Sequence, residues 1–169
     1  ELGTRDGFGS VDPDHLLNDI RFVVKNHNAQ FVIIDHLSIL LSGNDNDNER
    51  IMIDKIMTRL RSFVEEVGCG MILISHLRRT QSDKGHEEGA AISLSQLRGS
   101  HSIATLSDIC VGLQRNISAG DNMSELIVMK NRFNGSTGPA GILNYSKETG
   151  RLIEITQPTE SSPEPYGDF

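Results

Sequence analysis

An α/β fold is predicted by three features of the sequence. Amphipathic stretches alternate with short apolar runs, in the order helix, strand, helix, strand. The runs QFVIID and GMILIS are apolar without alternation, which is typical of parallel strands that are covered on both faces. Closely spaced strand-like segments then follow, separated by turns rich in glycine and asparagine. We therefore expect a sheet that starts with parallel strands and finishes with antiparallel hairpins.

The first predicted helix, VDPDHLLNDIRFVVKNHN, has Asp12 as its N-cap and Pro13 at its first helical position. Its apolar residues recur at helical spacing. They are Leu16, Leu17, Ile20, Val23 and Val24. The second predicted helix, ERIMIDKIMTRLRSFVEEVG, ends at Gly68 and has the clearest apolar stripe of the chain. That stripe consists of Ile53, Ile56, Met57, Leu60, Phe63, Val64 and Val67.

The second half of the chain contains a long loop, a short helix and four strands. The loop is LRRTQSDKGHEEGAAISLSQLRGS, and the helix is expected near residues 95–107. Strands are predicted in DICVGLQR, ELIVMKNR, GILNYSK and RLIEI. Residues 156–169 are rich in proline and acidic residues, without apolar periodicity. We therefore expect one domain over residues 1–155 and a disordered acidic tail over residues 156–169.

Composition narrows the classes of function. Hydrophobic residues make up 37 % of the 169 residues and charged residues 23 %, and no run reaches the ~18 apolar residues of a membrane span. Cys69 and Cys110 lie far apart in apolar runs, which predicts reduced core cysteines. The six histidines show no zinc-binding spacing. The net charge of −7 argues against a protein that coats nucleic acid generally, but it is compatible with a local basic loop.

Two predicted strands end in polar residues that suit phosphate chemistry. The first ends in Asp35 and the second in Ser75 and His76. Ligands of open α/β sheets bind outside the carboxyl ends of the strands, because loops and helix termini converge there. An aspartate in this place can hold magnesium, usually through water, and a neighbouring polar residue can sense the γ-phosphate. The alternatives are a loop cap at Asp35 and a hydrogen-bonded structural histidine at His76.

Lys130 and Arg132, in the segment KNR, are predicted to lie on one face of a strand end. Two cations there suit the spread negative charge of a phosphoryl-transfer transition state, and an arginine can act across a subunit boundary. The alternative is an ordinary solvated strand end.

An ordered set of motifs resembles one protein family. From FVIIDHLSIL to KETGRL, the chain is similar to the C-terminal half of the RecA-like motor domain of ring-shaped replicative helicases, most closely the phage primase-helicases related to DnaB and Twinkle. The motifs are, in order, IIDH, ISHLR, KGHEEG, SLSQLRGS with LSD, LQRN, KNRFNG, the TG of STGPAG, and YSKETG. The resemblance covers roughly residues 15–155 and implies a partial RecA-like three-layer α/β domain.

The resemblance implies specific roles around a nucleotide. Asp35 is implied to be the Walker B aspartate that coordinates Mg²⁺. His76 is implied to sense the γ-phosphate of ATP or a dTTP-type nucleoside triphosphate. Arg132 resembles the arginine finger that reaches the nucleotide of a neighbouring subunit, with Lys130 as its companion.

Base and DNA contacts are implied by further matches. Arg115 and Tyr145 match positions that pack around the nucleotide base, although Tyr145 is equally compatible with an ordinary strand aromatic. The loop after His76 is implied to line the channel of a hexameric ring and to hold single-stranded DNA by its backbone. The candidate DNA-binding residues are Arg78, Arg79, Lys84, Arg98 and Gly99. Where the family has a further basic residue, this chain has IATLSD, which contains no cation. The contacts with DNA are therefore expected to be weaker or differently arranged. A solvated mixed-charge loop with Glu87 and Glu88 is the alternative.

The acidic tail ends in Phe169, as the tails of this phage family do. The resemblance implies that the tail docks on the replicative DNA polymerase with the terminal aromatic ring as its anchor. A solubilising disordered end is the alternative. The expected location is the cytoplasm, that of the host cell if the chain is phage-encoded, and no membrane association is expected.

The phosphate-binding motif GxxxxGK[ST] does not occur between Glu1 and Phe169. In the family this P-loop lies upstream with the first strand, so we expect it to precede Glu1. The chain alone should then expose one edge or face of its sheet and should not hydrolyse ATP appreciably. Three hypotheses remain: part of an ATP-driven DNA helicase, a non-enzymatic oligomerisation and DNA-binding module, and another RecA-like ATPase such as a recombinase or annealing factor. The motifs KNRFNG and YSKETG favour the helicase.

Overall fold

The computed structural model describes residues 13–41, 49–77, 91–97, 101–115, 117, 120 and 122–155. The elements follow in the order α1 (Pro13–His27), β1 (Phe31–Ile34), a 3-10 helix (Leu37–Leu41), α2 (Glu49–Val67), β2 (Gly70–Leu73), a second 3-10 helix (Leu94–Gln96), α3 (His101–Leu106), β3 (Ile109–Gln114), β4 (Met123–Asn131), β5 (Gly138–Ser146) and β6 (Arg151–Ile155). Across these ranges, no helix combines the length and apolar character needed to cross a bilayer.

The strands form two sheets of different type. Strands β1 and β2 are parallel, with Phe31 opposite Gly70 and Ile34 opposite Leu73. Strands β3 to β6 form an antiparallel meander in sequence order. The predicted change from parallel strands to antiparallel hairpins is therefore confirmed. The expectation of one continuous sheet is wrong for the described residues, because β1 and β2 are not hydrogen-bonded to β3–β6.

The main core lies between α2, β1, α3 and the first 3-10 helix. Its buried residues are Ile34, Leu37, Leu40, Ile53, Ile56, Met57, Leu60 and Ile103. A smaller cluster joins Val24, Phe63 and Cys69. The predicted stripe of α2 is confirmed, and Cys69 and Cys110 are both free and buried, as expected.

The ends of the first two helices follow local sequence signals. Helix α1 begins at Pro13, whose missing N–H has no intrahelical partner to lose at that position; its predicted cap, Asp12, lies outside the described residues. Gly68 ends α2 with φ of 73°, and its N–H donates to the Val64 carbonyl. The stripe predicted for α1 is wrong at Val23, which is exposed while Val24 is buried. Adjacent helical residues point about 100° apart, and here only one of the two faces the core.

The parallel pair is covered on one face instead of the predicted two. Val32 and Ile34 pack into the core with Met71 and Leu73. Phe31 and Ile33 point to the opposite face, where they are 68 % and 65 % exposed. In a continuous apolar run, the residues of both faces are apolar. The sequence therefore cannot show that this chain covers only one of the two faces. The expectation of an exposed sheet face is confirmed for these strands.

The helix expected near residues 95–107 is shorter than predicted. The structure has a 3-10 helix at Leu94–Gln96 and then α3 at His101–Leu106. Ile92, two residues before the 3-10 helix at Leu94–Gln96, packs against Gly112 of β3. The contact is so close that a methyl group added at Gly112 would clash with the Ile92 side chain. Residues 98–100 lie outside the described ranges.

Ile53→Ala should destabilise the fold by about 2–5 kcal/mol, because it leaves a cavity in the main core. Ile53 is 1 % exposed, whereas Ile51 on the same helix is 50 % exposed. Urea unfolding followed by circular dichroism measures the change. The matched control Ile51→Ala should change the free energy of unfolding by less than about 0.5 kcal/mol. Equal losses in the two variants would contradict the placement of the core.

Candidate functional site

The carboxyl ends of β1 and β2 form one polar edge. Past the strands, the Ile74 N–H donates to the Ile34 carbonyl at 3.0 Å, and the Leu37 N–H donates to the Ile74 carbonyl at 2.9 Å. These bonds hold the two strand ends side by side. Asp35 and His76 are both exposed at this edge. The predicted meeting of the two strand ends is therefore present in the structure.

His36 is a residue of this edge to which sequence reasoning gave no role. Its ring meets the His76 ring edge to face, with centroids 4.5 Å apart and planes at 63°. Its Nδ1 is buried and has no hydrogen-bond partner among the described residues. The signal that points to it is its position next to Asp35 at a strand end. His36 thus contributes to the orientation of the His76 imidazole.

The donor set at this edge suits a magnesium ion that arrives with phosphate. The described residues contain no group of three histidine, cysteine or acidic side chains able to enclose a metal. Magnesium is commonly held by one or two carboxylates, with water and substrate phosphates completing its shell. The single exposed carboxylate of Asp35 fits that pattern.

Lys130 and Arg132 both contact the segment that joins α3 to β3, so their predicted common side is present in the structure. The Lys130 ammonium donates to the carbonyls of Ala104 at 2.6 Å, Thr105 at 3.1 Å and Ser107 at 2.8 Å. The Arg132 Nη1 donates to Asp108 Oδ1 at 3.1 Å, and its backbone N–H donates to the Asp108 carbonyl at 2.8 Å.

Asp108 is shared between two arginines. Its Oδ2 accepts a 2.6 Å hydrogen bond from Arg61 Nη1 on α2, while Oδ1 faces Arg132. The hydrogen bond from Arg61 is the main reason why the pKa of Asp108 lies below its usual value, and the charge of Arg132 acts in the same direction. Arg61 also pairs with Glu65 one turn later. Sequence reasoning gave Asp108 and Arg61 no role, although Asp108 lies in the motif LSD.

Arg115 and Tyr145 are both hydrogen-bonded to Asn122, at the opposite end of the antiparallel sheet. The Arg115 Nη2 donates to the Asn122 side chain at 3.2 Å, and the Tyr145 N–H donates to the Asn122 carbonyl at 2.9 Å. Strand β4 separates this cluster from Arg132, a distance of roughly 26 Å at ~3.3 Å per residue. The predicted nucleotide residues of the second half therefore form two separate groups.

The predicted DNA-binding residues and the terminal anchor lie outside the described residues. These are Arg78, Arg79, Lys84, Arg98, Gly99 and Phe169. The positions that flank the predicted DNA loop are described, and Leu77 pairs with Leu97 in an isolated antiparallel bridge. Leu77, one residue past His76, is therefore held beside Leu97, the residue that precedes Arg98 and Gly99 in the sequence.

Comparison with known proteins decides the family. A family profile described as "DnaB-like helicase C terminal domain" matches residues 6–154. The chain belongs to the DnaB-like helicase C-terminal domain family. It is 38 % identical over 149 residues to the DNA helicase/primase of Enterobacteria phage T3, which covers 87 % of this chain and 26 % of the relative. It is 29 % identical over 127 residues to a probable plasmid replicative DNA helicase of Chlamydia psittaci, with 73 % and 27 % covered.

Solved structures of other proteins have the same fold. The structure of a DnaB-like replicative helicase and its interactions with primase superimposes with a TM-score of 0.73 at 24 % identity, over 90 % of this chain and 37 % of that one. A second solved structure, of an ATPase domain, gives a TM-score of 0.69 at 24 % identity, over 86 % and 52 %. These similarities confirm the predicted RecA-like α/β fold. The chain spans about a quarter of the length of the curated relatives that it matches.

Asp108→Asn should lower the Tm of this DnaB-like domain by about 2–4 °C near neutral pH. The pKa of Asp108 is lowered in the folded state, so its contribution is full above 3.8, the usual value, and is lost as the pH falls through the folded value. The Tm difference between wild type and variant should therefore shrink at acidic pH. Thermal melts from about pH 6 downward measure it.

Asp14→Asn is the control, because it removes an exposed pair with Arg59. Exposed pairs contribute little, so its Tm should change by less than about 1 °C. A difference for Asp108→Asn that persists undiminished at the lowest pH would contradict the ion-pair network.

Proposed function

We propose that this chain supplies the C-terminal part of the motor domain of an ATP-driven replicative DNA helicase, which translocates on single-stranded DNA as a hexameric ring and unwinds duplex DNA. The observation that carries this function is the edge at which Asp35 and His76 end adjacent parallel strands, closed by the Ile74–Ile34 and Leu37–Ile74 hydrogen bonds. Membership of the DnaB-like family supports it independently.

Asp35 is the residue proposed to hold Mg²⁺, through water, on the phosphates of ATP or a dTTP-type nucleotide. When bound, Mg²⁺ neutralises the charge that develops on the phosphate oxygens during phosphoryl transfer. The exposed position of Asp35 leaves room for water between carboxylate and ion. The P-loop of the same site is assigned to a segment of the full-length protein outside residues 1–169, because the motif does not occur within them.

His76 is proposed to sense the γ-phosphate and to pass its state to the DNA-binding loop. The loop begins directly after Leu77, which pairs with Leu97 at its base. A change in the position of His76 would therefore move Leu77, the next residue, which lies at the base of the loop. Arg78, Arg79, Lys84, Arg98 and Gly99 are the proposed contacts with the DNA backbone.

Arg132 is proposed to act as an arginine finger on the nucleotide of the neighbouring subunit, and Arg115 and Tyr145 to pack around a base. The two groups lie at opposite ends of β4, roughly 26 Å apart. The two groups are therefore not gathered at one place within this chain, which supports their action on two different nucleotides. A ring of identical subunits supplies such an arrangement.

The acidic segment 156–169 is proposed to dock on the replicative DNA polymerase through Phe169. The expected place of action is the cytoplasm, that of the host cell for a phage protein. The homology to a phage helicase/primase supports a role in phage DNA replication.

Arg132→Ala in the full-length protein should lower the kcat of DNA-stimulated ATP hydrolysis by about 10³-fold or more, with ATP binding retained. The cause is the loss of positive charge at the transition state. Arg151→Ala removes an exposed arginine at the start of β6 and should leave kcat unchanged. Steady-state hydrolysis and nucleotide-binding titrations measure the two quantities.

Mixed rings test the action across the subunit boundary. Rings made only of Asp35→Asn subunits or only of Arg132→Ala subunits should be inactive. A mixture of the two should regain hydrolysis, because an Asp35→Asn subunit still supplies Arg132 to the site of a neighbouring Arg132→Ala subunit, which still has Asp35. Unchanged kcat in Arg132→Ala would remove the finger assignment. Loss of activity without recovery in mixtures would place Arg132 in the site of its own subunit.

Deletion of Phe169 should weaken association with the replicative polymerase by at least about tenfold, while ATP hydrolysis stays unchanged. The terminal ring is the proposed anchor, so Tyr166→Ala, three residues upstream, should have a smaller effect. Surface-immobilised polymerase and full-length helicase measure the affinity. Equal affinity of the Phe169 deletion and wild type would assign the tail a solubilising role.

A further inference from the structure

Asn122 binds both members of the pair that is proposed to contact a base, one through its side chain and one through its backbone. The Arg115 Nη2 donates to Asn122 Oδ1 at 3.2 Å. The Tyr145 N–H donates to the Asn122 carbonyl at 2.9 Å. Asn122 is half-buried, whereas Arg115 and Tyr145 are both exposed. The least exposed residue of the three therefore links the other two.

The chain turns back between Arg115 and Asn122, which brings these two residues together. Arg115 follows β3, and Asn122 precedes β4, the antiparallel neighbour of β3. Between them, the Gly120 N–H donates to the Ile117 carbonyl at 3.1 Å, and Gly120 has φ of 73°. Glycine adopts this left-handed conformation without steric cost. The hydrogen bond between Arg115 and Asn122 thus lies at the base of the β3–β4 connection.

Tyr145 is attached to Asn122 in a different way, through the backbone of the sheet. Met123, the next residue of the chain, is paired with Asn144, the residue before Tyr145. The bond from the Tyr145 N–H to the Asn122 carbonyl lies beside this pair. Every amino acid at position 122 retains that carbonyl. A substitution of the Asn122 side chain would therefore remove the bond from Arg115 and leave the bond from Tyr145 in place.

The hydrogen bond to Asn122 prepares the Arg115 side chain for stacking. A long side chain loses rotamer freedom when a ligand immobilises it, and this loss weakens binding. A bond that orders the side chain before the ligand arrives reduces the loss. The N–H groups of a guanidinium point outward in its plane, so a bond from Nη2 does not use the flat face that stacks on a base.

We propose that Asn122 is a positioning residue, which orders the Arg115 guanidinium for stacking on the nucleotide base. This inference rests on the proposed function, in which Arg115 and Tyr145 pack around a base. Asn122 makes no contact with the nucleotide and acts on its binding only through Arg115. The effect of its side chain is therefore confined to ligands that carry a base, and it changes affinity without changing the rate of phosphoryl transfer.

Asn122→Leu in the full-length helicase should raise the Kd for Mg²⁺-ATP about fivefold, with kcat at saturating ATP within about twofold of wild type. Leucine has nearly the same size as asparagine but accepts no hydrogen bond. The Kd for tripolyphosphate, which has the phosphates but no base, should stay unchanged. Nucleotide titration, competition by tripolyphosphate and steady-state hydrolysis measure these quantities.

Two further variants serve as controls. A carboxylate keeps an oxygen acceptor and binds a guanidinium more strongly than an amide does, so Asn122→Asp should bind ATP at least as tightly as wild type. Asn18 on α1 accepts a hydrogen bond from Arg21 at 2.6 Å. Asn18→Leu removes this bond of the same kind elsewhere in the chain and should leave the Kd for ATP unchanged.

A double-mutant cycle shows whether Asn122 acts through Arg115. In an Arg115→Ala background, Asn122→Leu should change the Kd for ATP by less than about twofold further, because its partner is already absent. In a Tyr145→Leu background, the full loss of affinity should persist, because Tyr145 is bound through the Asn122 backbone. If Asn122→Leu does not fold, Asn122→Ala removes the same acceptor and carries the cycle.

The contrary outcomes separate the inference from the proposed function. A wild-type Kd in Asn122→Leu, with a raised Kd in Arg115→Ala, would overturn the inference while the proposed function stands. A loss of affinity that persists in the Arg115→Ala background would also overturn it, as would an equal loss for tripolyphosphate, which indicates general damage to the site. An unchanged Kd in Arg115→Ala would remove both the inference and the proposed base contact of Arg115.

Discussion

The parallel pairing of β1 with β2 is the interaction on which the proposed site depends. The ladder extends beyond both strands through the Ile74–Ile34 and Leu37–Ile74 hydrogen bonds. These bonds place Asp35, His36 and His76 at one edge, although the two strands are separated in sequence by the whole of α2. The register is supported from below by Val32, Ile34, Met71 and Leu73, which pack into the main core. A slip of one residue would turn these side chains to the opposite face.

Local patterns in the sequence predicted the elements well. The stripe of α2 and its stop at Gly68 follow from helical spacing and from one residue with positive φ. The apolar runs before Asp35 and His76 were sufficient to place two parallel strands and their polar ends. They were not sufficient to show that Phe31 and Ile33 lie on an uncovered face. An uninterrupted apolar run has no period from which a half-covered sheet could be recognised.

The parts of the site that escaped sequence reasoning are long-range pairs between polar residues. Arg61 and Asp108 are 47 positions apart, and Lys130 is more than twenty positions from the carbonyls that it binds. Such contacts depend on the packing of α3 against α2 and on the register of β3 with β4. The spacing in KNR predicted correctly that the two cations share a side. It carried no information about their partners, which belong to elements far along the chain.

The Asp108 carboxylate also has a consequence for the mechanics of the molecule. In the described residues, β1 and β2 are not hydrogen-bonded to the antiparallel sheet, so the two sheets are joined through helix packing and a few polar contacts. Arg61 lies on the helix that packs against the first sheet, and Arg132 follows a strand of the second. One carboxylate group therefore spans both halves. A small rotation of one sheet against the other would move Arg61 and Arg132 relative to each other. Because both bind Asp108, such a rotation would change the direction of the Arg132 guanidinium.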